Sequence, residues 1–106
     1  MRHQERDVML PTVHTNGTPG ERLFEDVMKA YEAVRQAQEA MRHVTPNGRD
    51  YYTQGPDATT KARDQHFERQ KKLADVFDDL AAIALSIRDQ VDEQNEARER
   101  RMKGGS

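Results

Sequence analysis

The side chains best suited to holding a small anion are concentrated in one short stretch of the sequence. Two adjacent tyrosines, Tyr51 and Tyr52, follow Arg49 within a segment rich in polar residues. A guanidinium presents a planar fork of donors to a phosphate or carboxylate, and a tyrosine presents a stacking face with a polar tip. This combination is typical of a site for a nucleotide-like anion.

Other kinds of chemistry lack the residues that they need. The chain contains no cysteine, which excludes a disulfide framework, a thiolate zinc site and a cysteine nucleophile. Serine occurs only at Ser86 and Ser106, so a serine triad is not expected, and there is no glycine-rich phosphate loop. No metal-ligand spacing relates the four histidines, which are His3, His14, His43 and His66. We therefore expect no cofactor, no metal and no enzymatic activity.

Two long helices must position the tyrosine-containing segment. The first is predicted over 19–44, with Thr18 as N-cap, Pro19 in the first turn and Glu21 completing a capping box. Apolar residues then recur at three- and four-residue steps as far as Val44, which is the pattern of an amphipathic helix. Pro46 ends it because the residue before a proline avoids helical geometry.

The second helix is predicted over 58–101, after a loop at 45–57 in which Pro46-Asn47-Gly48 has the residues of a turn and Gly55-Pro56 is a second breaker. Asp57 or Thr60 serves as its N-cap, and no glycine or proline follows until Gly104. Its apolar seam has the alternating four-three spacing of a left-handed coiled coil, through Leu73, Val76, Leu80, Ile83 and Ile87.

The seam becomes polar towards the loop. Extended backwards from Leu73 it meets Arg69 and His66, and the stripe of the first helix extended forwards meets Gln38. Polar groups at such positions are expensive to bury unless hydrogen bonds satisfy them. If the helices pair antiparallel, eight residues converge as a ligand site: Gln38, Asn47, Arg49, Asp50, Tyr51, Tyr52, His66 and Arg69. The alternatives are that His66 or Arg69 caps loop carbonyls and the tyrosines pack on the helix end, or that this end binds a protein.

The scarcity of large apolar residues predicts self-association. Val, Leu, Ile and Phe make up 17 of 106 residues, whereas 34% of the chain is charged. Antiparallel pairing also leaves the second helix uncovered beyond about residue 84, although Ile87 and Val91 lie on its seam. An N-terminal arm at 1–17 or a second subunit could cover them, and a homo-oligomer is favoured because two helices alone rarely bury enough. The predicted fold is all-α: this arm, then an antiparallel two-helix hairpin domain at 18–103 that oligomerises through coiled-coil-like packing.

The charge balance and the apolar runs limit the partners. A net charge of −2 does not favour nucleic acid, and no apolar run approaches the ~18 residues of a membrane span. The N-terminal sequence does not open a signal peptide. A cytoplasmic protein without a membrane partner is expected, and a place in a virion stays open.

Two segments carry a resemblance to a known group of proteins. Residues 11–18 and 46–55, followed by His66 and Arg69, resemble small phage and prophage proteins with a polar arm, a helix, a loop and a long helix. More distantly, the layout is similar to phage-encoded helical-hairpin nucleotide sponges. That resemblance implies an oligomer that sequesters cyclic nucleotide or ADP-ribose-derived signals of bacterial immunity without chemistry.

Three functional hypotheses follow. The first is an anti-defence sponge in which arginines contact phosphate, tyrosines stack on a base, and His66, Asn47 and Gln38 supply polar contacts. The second is a virion or assembly component that docks on neighbouring subunits through its arm and helices. The third is an inhibitor whose charged helical faces bind a host enzyme.

Overall fold

The computed structural model describes residues 7–104, and within them every regular element is a helix. Helix α1 covers Gly20–Met41, helix α2 is a single turn at Gly48–Tyr51, and helix α3 covers Ala58–Gly104. Short 3₁₀ turns follow α1 at Arg42–Val44 and α2 at Tyr52–Gln54. The all-helical class, with one long and one shorter helix, is confirmed. Residues 1–6 of the predicted arm lie outside the described residues.

The long helices begin close to their sequence signals. The backbone N–H of Leu23 donates to the carbonyl of Pro19 at 2.9 Å, which places Pro19 rather than Thr18 at the N-cap of α1. For α3, the N–H of Lys61 donates to the carbonyl of Asp57 at 3.0 Å. Of its two candidate N-caps, the structure therefore selects Asp57.

Among the described residues only Gly55 adopts a positive φ, and the predicted Pro46-Asn47-Gly48 turn leads into α2. Asn47 has an extended φ of −124° and caps α2, whereas Gly55 has a φ of 121°. A Cβ at Gly55 would meet no atom within 4 Å, so the need for glycine there comes from backbone conformation. Asn47-Gly48 forms the start of a helical turn because the Asn47 side chain hydrogen-bonds to the Asp50 N–H, a common alternative for asparagine.

The chain divides into two compact units. The arm unit consists of residues 1–30 and 79–106, and the loop unit consists of residues 31–78. Helices α1 and α3 each contribute to both units, whereas the loop with α2 belongs to the loop unit.

The arm unit contains the apolar core of the described chain. Val13, Ile87 and Val91 form a buried cluster, with Ile87 fully inaccessible to solvent. Partly buried residues of α1 and α3 pack around it, namely Leu23, Phe24, Val27 and Ile83. The arm is thus a third segment that covers the end of the α3 seam.

The prediction that the first long helix leaves α3 uncovered beyond about residue 84 is wrong within the arm unit. The Arg88 guanidinium lies over the Phe24 ring, 4.4 Å from its centroid, and 3.7 Å from a carboxylate oxygen of Glu21. The start of α1 therefore contacts α3 well past residue 84, and Val13 covers Ile87 and Val91. The need to cover these two side chains consequently no longer argues for a second subunit.

The loop unit has a different kind of interior. Tyr31 stacks on Phe77 with ring centroids 4.4 Å apart, and its two buried residues are Pro46 and His66. Val76, which the seam pattern placed inside, is 44% exposed.

None of the described helices combines the length and the apolar character that crossing a lipid bilayer requires.

Candidate functional site

The best-defined polar contacts between distant parts of the chain hold the arm on α3. The Gln90 side-chain amide accepts a hydrogen bond from the Val13 N–H at 2.8 Å and donates one to the Pro11 carbonyl at 2.9 Å. Its amide nitrogen also lies 3.1 Å from the Ser86 hydroxyl oxygen. One glutamine therefore pairs with the arm backbone as a neighbouring β-strand would, through one donor and one acceptor.

Gln94 extends this contact by one helical turn. Its amide nitrogen donates to the Val13 carbonyl at 2.9 Å, so both backbone polar groups of Val13 are bonded to α3 side chains. Residues four apart share a helix face, which brings Gln90 and Gln94 to the same side as the arm. We call these two glutamines, with the arm segment 11–13 that they hold, the arm clasp.

The apolar part of the clasp is closely packed. Val13 is buried between the two helices, and a Cβ placed on Gly20 would lie 2.5 Å from Val91 Cγ2 and 3.0 Å from Val13 Cγ1. Glycine at the start of α1 thus lets the helix approach the Val13–Val91 contact. Proline at position 11 is compatible with the clasp, since the clasp uses only its carbonyl and proline has no backbone N–H.

Sequence reasoning missed Gln90 and Gln94. The available signal was the four-residue spacing of two glutamines beside the seam residue Val91. Glutamines on a long charged helix ordinarily face solvent, and the pattern did not indicate which segment would pass over them.

Two of the predicted ligand contacts are bonded to each other in the loop unit. The Asn47 side-chain oxygen accepts from the Asp50 N–H at 3.3 Å, and its amide nitrogen donates to the Asp50 carboxylate at 3.2 Å. These are the bonds of an N-capped helical turn. Both side chains therefore have a hydrogen-bond partner within the chain.

His66 is buried, as the seam argument expected for a polar group at this end, and its partner is Thr45. The Thr45 hydroxyl lies 3.0 Å from the Arg42 carbonyl and 3.3 Å from His66 Nε2. A hydroxyl has one proton. Since Thr45 donates it to the carbonyl, His66 Nε2 is the donor in the second contact.

Arg63 anchors the loop, a role that the sequence argument offered to His66 or Arg69. Its Nε donates to the carbonyl of the buried Pro46 at 3.2 Å. Arg69 itself is exposed on α3. A side chain of α3 thus does bond to a loop carbonyl, as the alternative supposed, but it belongs to Arg63.

The remaining predicted contacts do not form an enclosed site. Arg49 is exposed, Tyr52 is 72% exposed, and Tyr51 is half-buried. The structure thus brings Asn47 to Asp50 and His66 to Thr45, and it leaves these aromatic and basic groups largely in solvent.

Gln38 lines an open groove of about 350 Å³ in the loop unit. The groove presents two guanidiniums, one carboxylate, two amides and an apolar side chain, from Arg35, Arg42, Glu39, Gln38, Gln70 and Leu73. Within it, the hydrogen bond and positive charge of Arg42 lower the pKa of the exposed Glu39 carboxyl, and the hydrogen bond and negative charge of Glu39 raise the pKa of Arg42. Arg35 is paired with Glu32, with its Nε 2.9 Å from each carboxylate oxygen. Both guanidiniums of the groove are thus paired with glutamates, and the amides of Gln38 and Gln70 add further hydrogen-bonding groups.

Across residues 7–104 no group of three or more His, Asp or Glu side chains is placed to hold a metal ion.

No protein-family model, curated protein or solved structure matches this chain. Its function is therefore inferred from the geometry of the chain itself.

Proposed function

We propose that the protein is a non-catalytic assembly component of the virion type, which docks on neighbouring subunits through its arm and helices. The observation that carries this proposal is the arm clasp, in which Gln90 bonds both the Pro11 carbonyl and the Val13 N–H. A segment bound on a helix face can join subunits, because its main-chain hydrogen bonds give affinity and its buried side chain fixes its position along the helix.

The hydrogen bonds within the loop unit favour the assembly role over the ligand-binding role. Asn47, Asp50 and His66 were nominated as ligand contacts because unsatisfied polar groups are costly to bury. Their hydrogen bonds to one another and to Thr45 account for them structurally. The arm, by contrast, is held by long-range hydrogen bonds from Gln90 and Gln94 to its backbone.

We also infer that the two long helices form an antiparallel hairpin that associates with other copies. In the loop unit, Tyr31 of α1 meets Phe77 and Thr45 meets His66, so the contacted α3 residue number falls as the chain advances. In the arm unit, Met9 is 85% exposed and Leu85 is 64% exposed. Large apolar side chains left in water in the arm unit support burial against a neighbouring subunit.

Light scattering coupled to size exclusion tests the association. We expect the intact chain to form an oligomer larger than its 12.2 kDa monomer mass and Leu85→Glu to weaken it. Phe67→Glu is the matched control, because Phe67 is equally exposed at 69% but lies on α3 in the loop unit. A chain that stays monomeric at all concentrations, or an oligomer that both variants weaken equally, would contradict the proposal.

The second candidate is the anti-defence sponge, acting in the host cytoplasm. The observation that favours it is the groove of the loop unit, where Arg35, Arg42 and Gln38 surround an open space. A cyclic nucleotide or ADP-ribose-derived anion would bind the guanidiniums of Arg35 and Arg42 in place of the glutamate carboxylates that they now contact.

A thermal-shift screen with cyclic di- and trinucleotides and cyclic ADP-ribose isomers tests the second candidate. A rise in Tm that is lost in Arg42→Ala and retained in Arg98→Ala supports the groove. If the rise in Tm is instead lost in Arg69→Ala or Tyr51→Ala, the ligand binds at the loop residues predicted from the sequence. An unchanged Tm with every ligand rejects the sponge.

A further inference from the structure

We infer that the arm clasp also accepts the arm of a second copy of this chain, so that two copies exchange residues 8–13 reciprocally. This rests on the proposed function and names its partner and its contact. The occupant is a segment of the same sequence, with Val13 as the buried residue and the backbone of residues 11–13 as the hydrogen-bonded part.

The contacts of the clasp do not depend on which copy supplies the arm. Gln90 and Gln94 bond to backbone atoms of Pro11 and Val13, and Val13 fills the space beside Ile87 and Val91. An arm from a neighbouring molecule would make the same contacts. Exchange of an identical element is a low-cost route to a dimer for this reason.

The connection between the arm and α1 can open without disturbing a core. All six residues from His14 to Pro19 are exposed. Their turn is closed by a hydrogen bond from the Gly17 N–H to the His14 carbonyl at 3.1 Å. Six extended residues span about 20 Å, which is long enough to carry the arm to an adjacent molecule.

Apolar surface next to the clasp favours the second copy. Met9 and Leu10 directly precede the clasped segment and are 85% and 47% exposed. When the arm stays on its own chain these side chains face water. In an exchanged dimer the helices of the second copy lie alongside the arm and can cover them, and a net charge of only −2 per chain opposes the approach weakly.

Cross-linking between two differently tagged chains tests the exchange, and the absence of native cysteine makes the result unambiguous. One chain carries Thr12→Cys in the arm and the other carries Ser86→Cys on α3. The amide nitrogen of Gln90 lies 2.9 Å from the Pro11 carbonyl and 3.1 Å from the Ser86 hydroxyl, so a short bismaleimide can join the two positions. After subunits have mixed, we expect a cross-linked heterodimer.

The control replaces Ser86→Cys with Arg49→Cys, an exposed residue of the loop unit, and should give no heterodimer. The double variant Thr12→Cys/Ser86→Cys reports the alternative, because an arm that stays on its own chain yields only an intramolecular cross-link. If the cross-link is only intramolecular although light scattering shows an oligomer, the exchange is rejected and the proposed function is not. A monomeric chain rejects both.

The length of the connector provides a second readout that does not depend on cysteine. Deleting Asn16 and Gly17 keeps the arm from folding back, so the dimer fraction should rise. Inserting a short Gly-Ser segment at the same place should favour the monomer. Oligomer size that is unaffected by both changes would overturn the exchange.

Discussion

The arm unit and the loop unit use the same two helices but have different interiors. In the arm unit the buried residues are apolar, and Ile87 is completely enclosed because the arm adds a third segment. In the loop unit the buried residues are Pro46 and His66, and apolar side chains such as Val76 stay partly in water. Two helices can stack aromatic rings along one line but do not by themselves surround a side chain. In the arm unit the arm provides the third segment, and Ile87 is enclosed.

The units also differ in how they satisfy polar groups. The loop unit does so locally, with Asn47 bonded to Asp50 three residues away, or across the loop from Thr45 to His66. The arm unit does so between residues far apart in sequence, from Gln90 and Gln94 to the arm backbone. Local bonds shape a loop, whereas the long-range bonds hold a separate segment that could in principle be supplied by another molecule.

The largest expected effect comes from opening the enclosed core. Ile87→Ala should lower the free energy of unfolding by about 2–5 kcal/mol, through lost burial and the cavity left behind. Phe67→Ala is the control on the same helix, since Phe67 is 69% exposed, and should change it by less than about 0.5 kcal/mol. Urea denaturation measures both, and equal effects would mean that the arm does not enclose Ile87 in solution.

Releasing the arm backbone should have the next largest effect. Gln90→Ala removes the partners of the Val13 N–H and the Pro11 carbonyl, and we expect a loss of about 1–3 kcal/mol. Hydrogen exchange at the Val13 amide should become at least severalfold faster. Gln70→Ala in the loop unit is the control, and slow exchange at Val13 in Gln90→Ala would show that the clasp bond does not protect it.

His66→Leu should alter stability by no more than about 1 kcal/mol. The change removes the contact from Nε2 to Thr45, but the Thr45 hydroxyl keeps its bond to the Arg42 carbonyl and leucine gains apolar burial. Thermal unfolding of His66→Leu and of Thr45→Val checks this. A much larger loss in His66→Leu alone would assign His66 interactions beyond the Thr45 contact.

The smallest expected effect is a dependence on pH. The pKa of Glu39 is lowered by Arg42, so its stabilising contribution is present above the unfolded-state pKa of about 4.3 and is lost as pH falls through the lower folded-state value. The stability difference between wild type and Glu39→Gln should therefore shrink on acidification, and also in ~1 M salt because the pair is exposed. A difference that persists at acid pH would mean that charge is not its cause.

Much of the fold could be predicted from the sequence because it depends on neighbours along the chain. Helical periodicity, the proline after Val44 and the Asp57 N-cap are local signals, and the class they indicate agrees with the structure. The conformation of the loop was harder to predict, since Asn47-Gly48 and Gly55 both permit a positive φ and, among the described residues, only Gly55 adopts one. The outcome depended on the Asn47 side chain bonding to the Asp50 N–H.

The arm position and the clasp depended on tertiary structure. Nothing in the spacing of Gln90 and Gln94 identifies the backbone that they bind, because a glutamine amide can bond to any extended segment brought within reach. The four-three seam likewise treats Val76 and Ile87 as equivalent, yet one is 44% exposed and the other is enclosed. Periodicity specifies which face of a helix is apolar, whereas burial also requires a covering segment, and here that segment comes from residues more than seventy positions away.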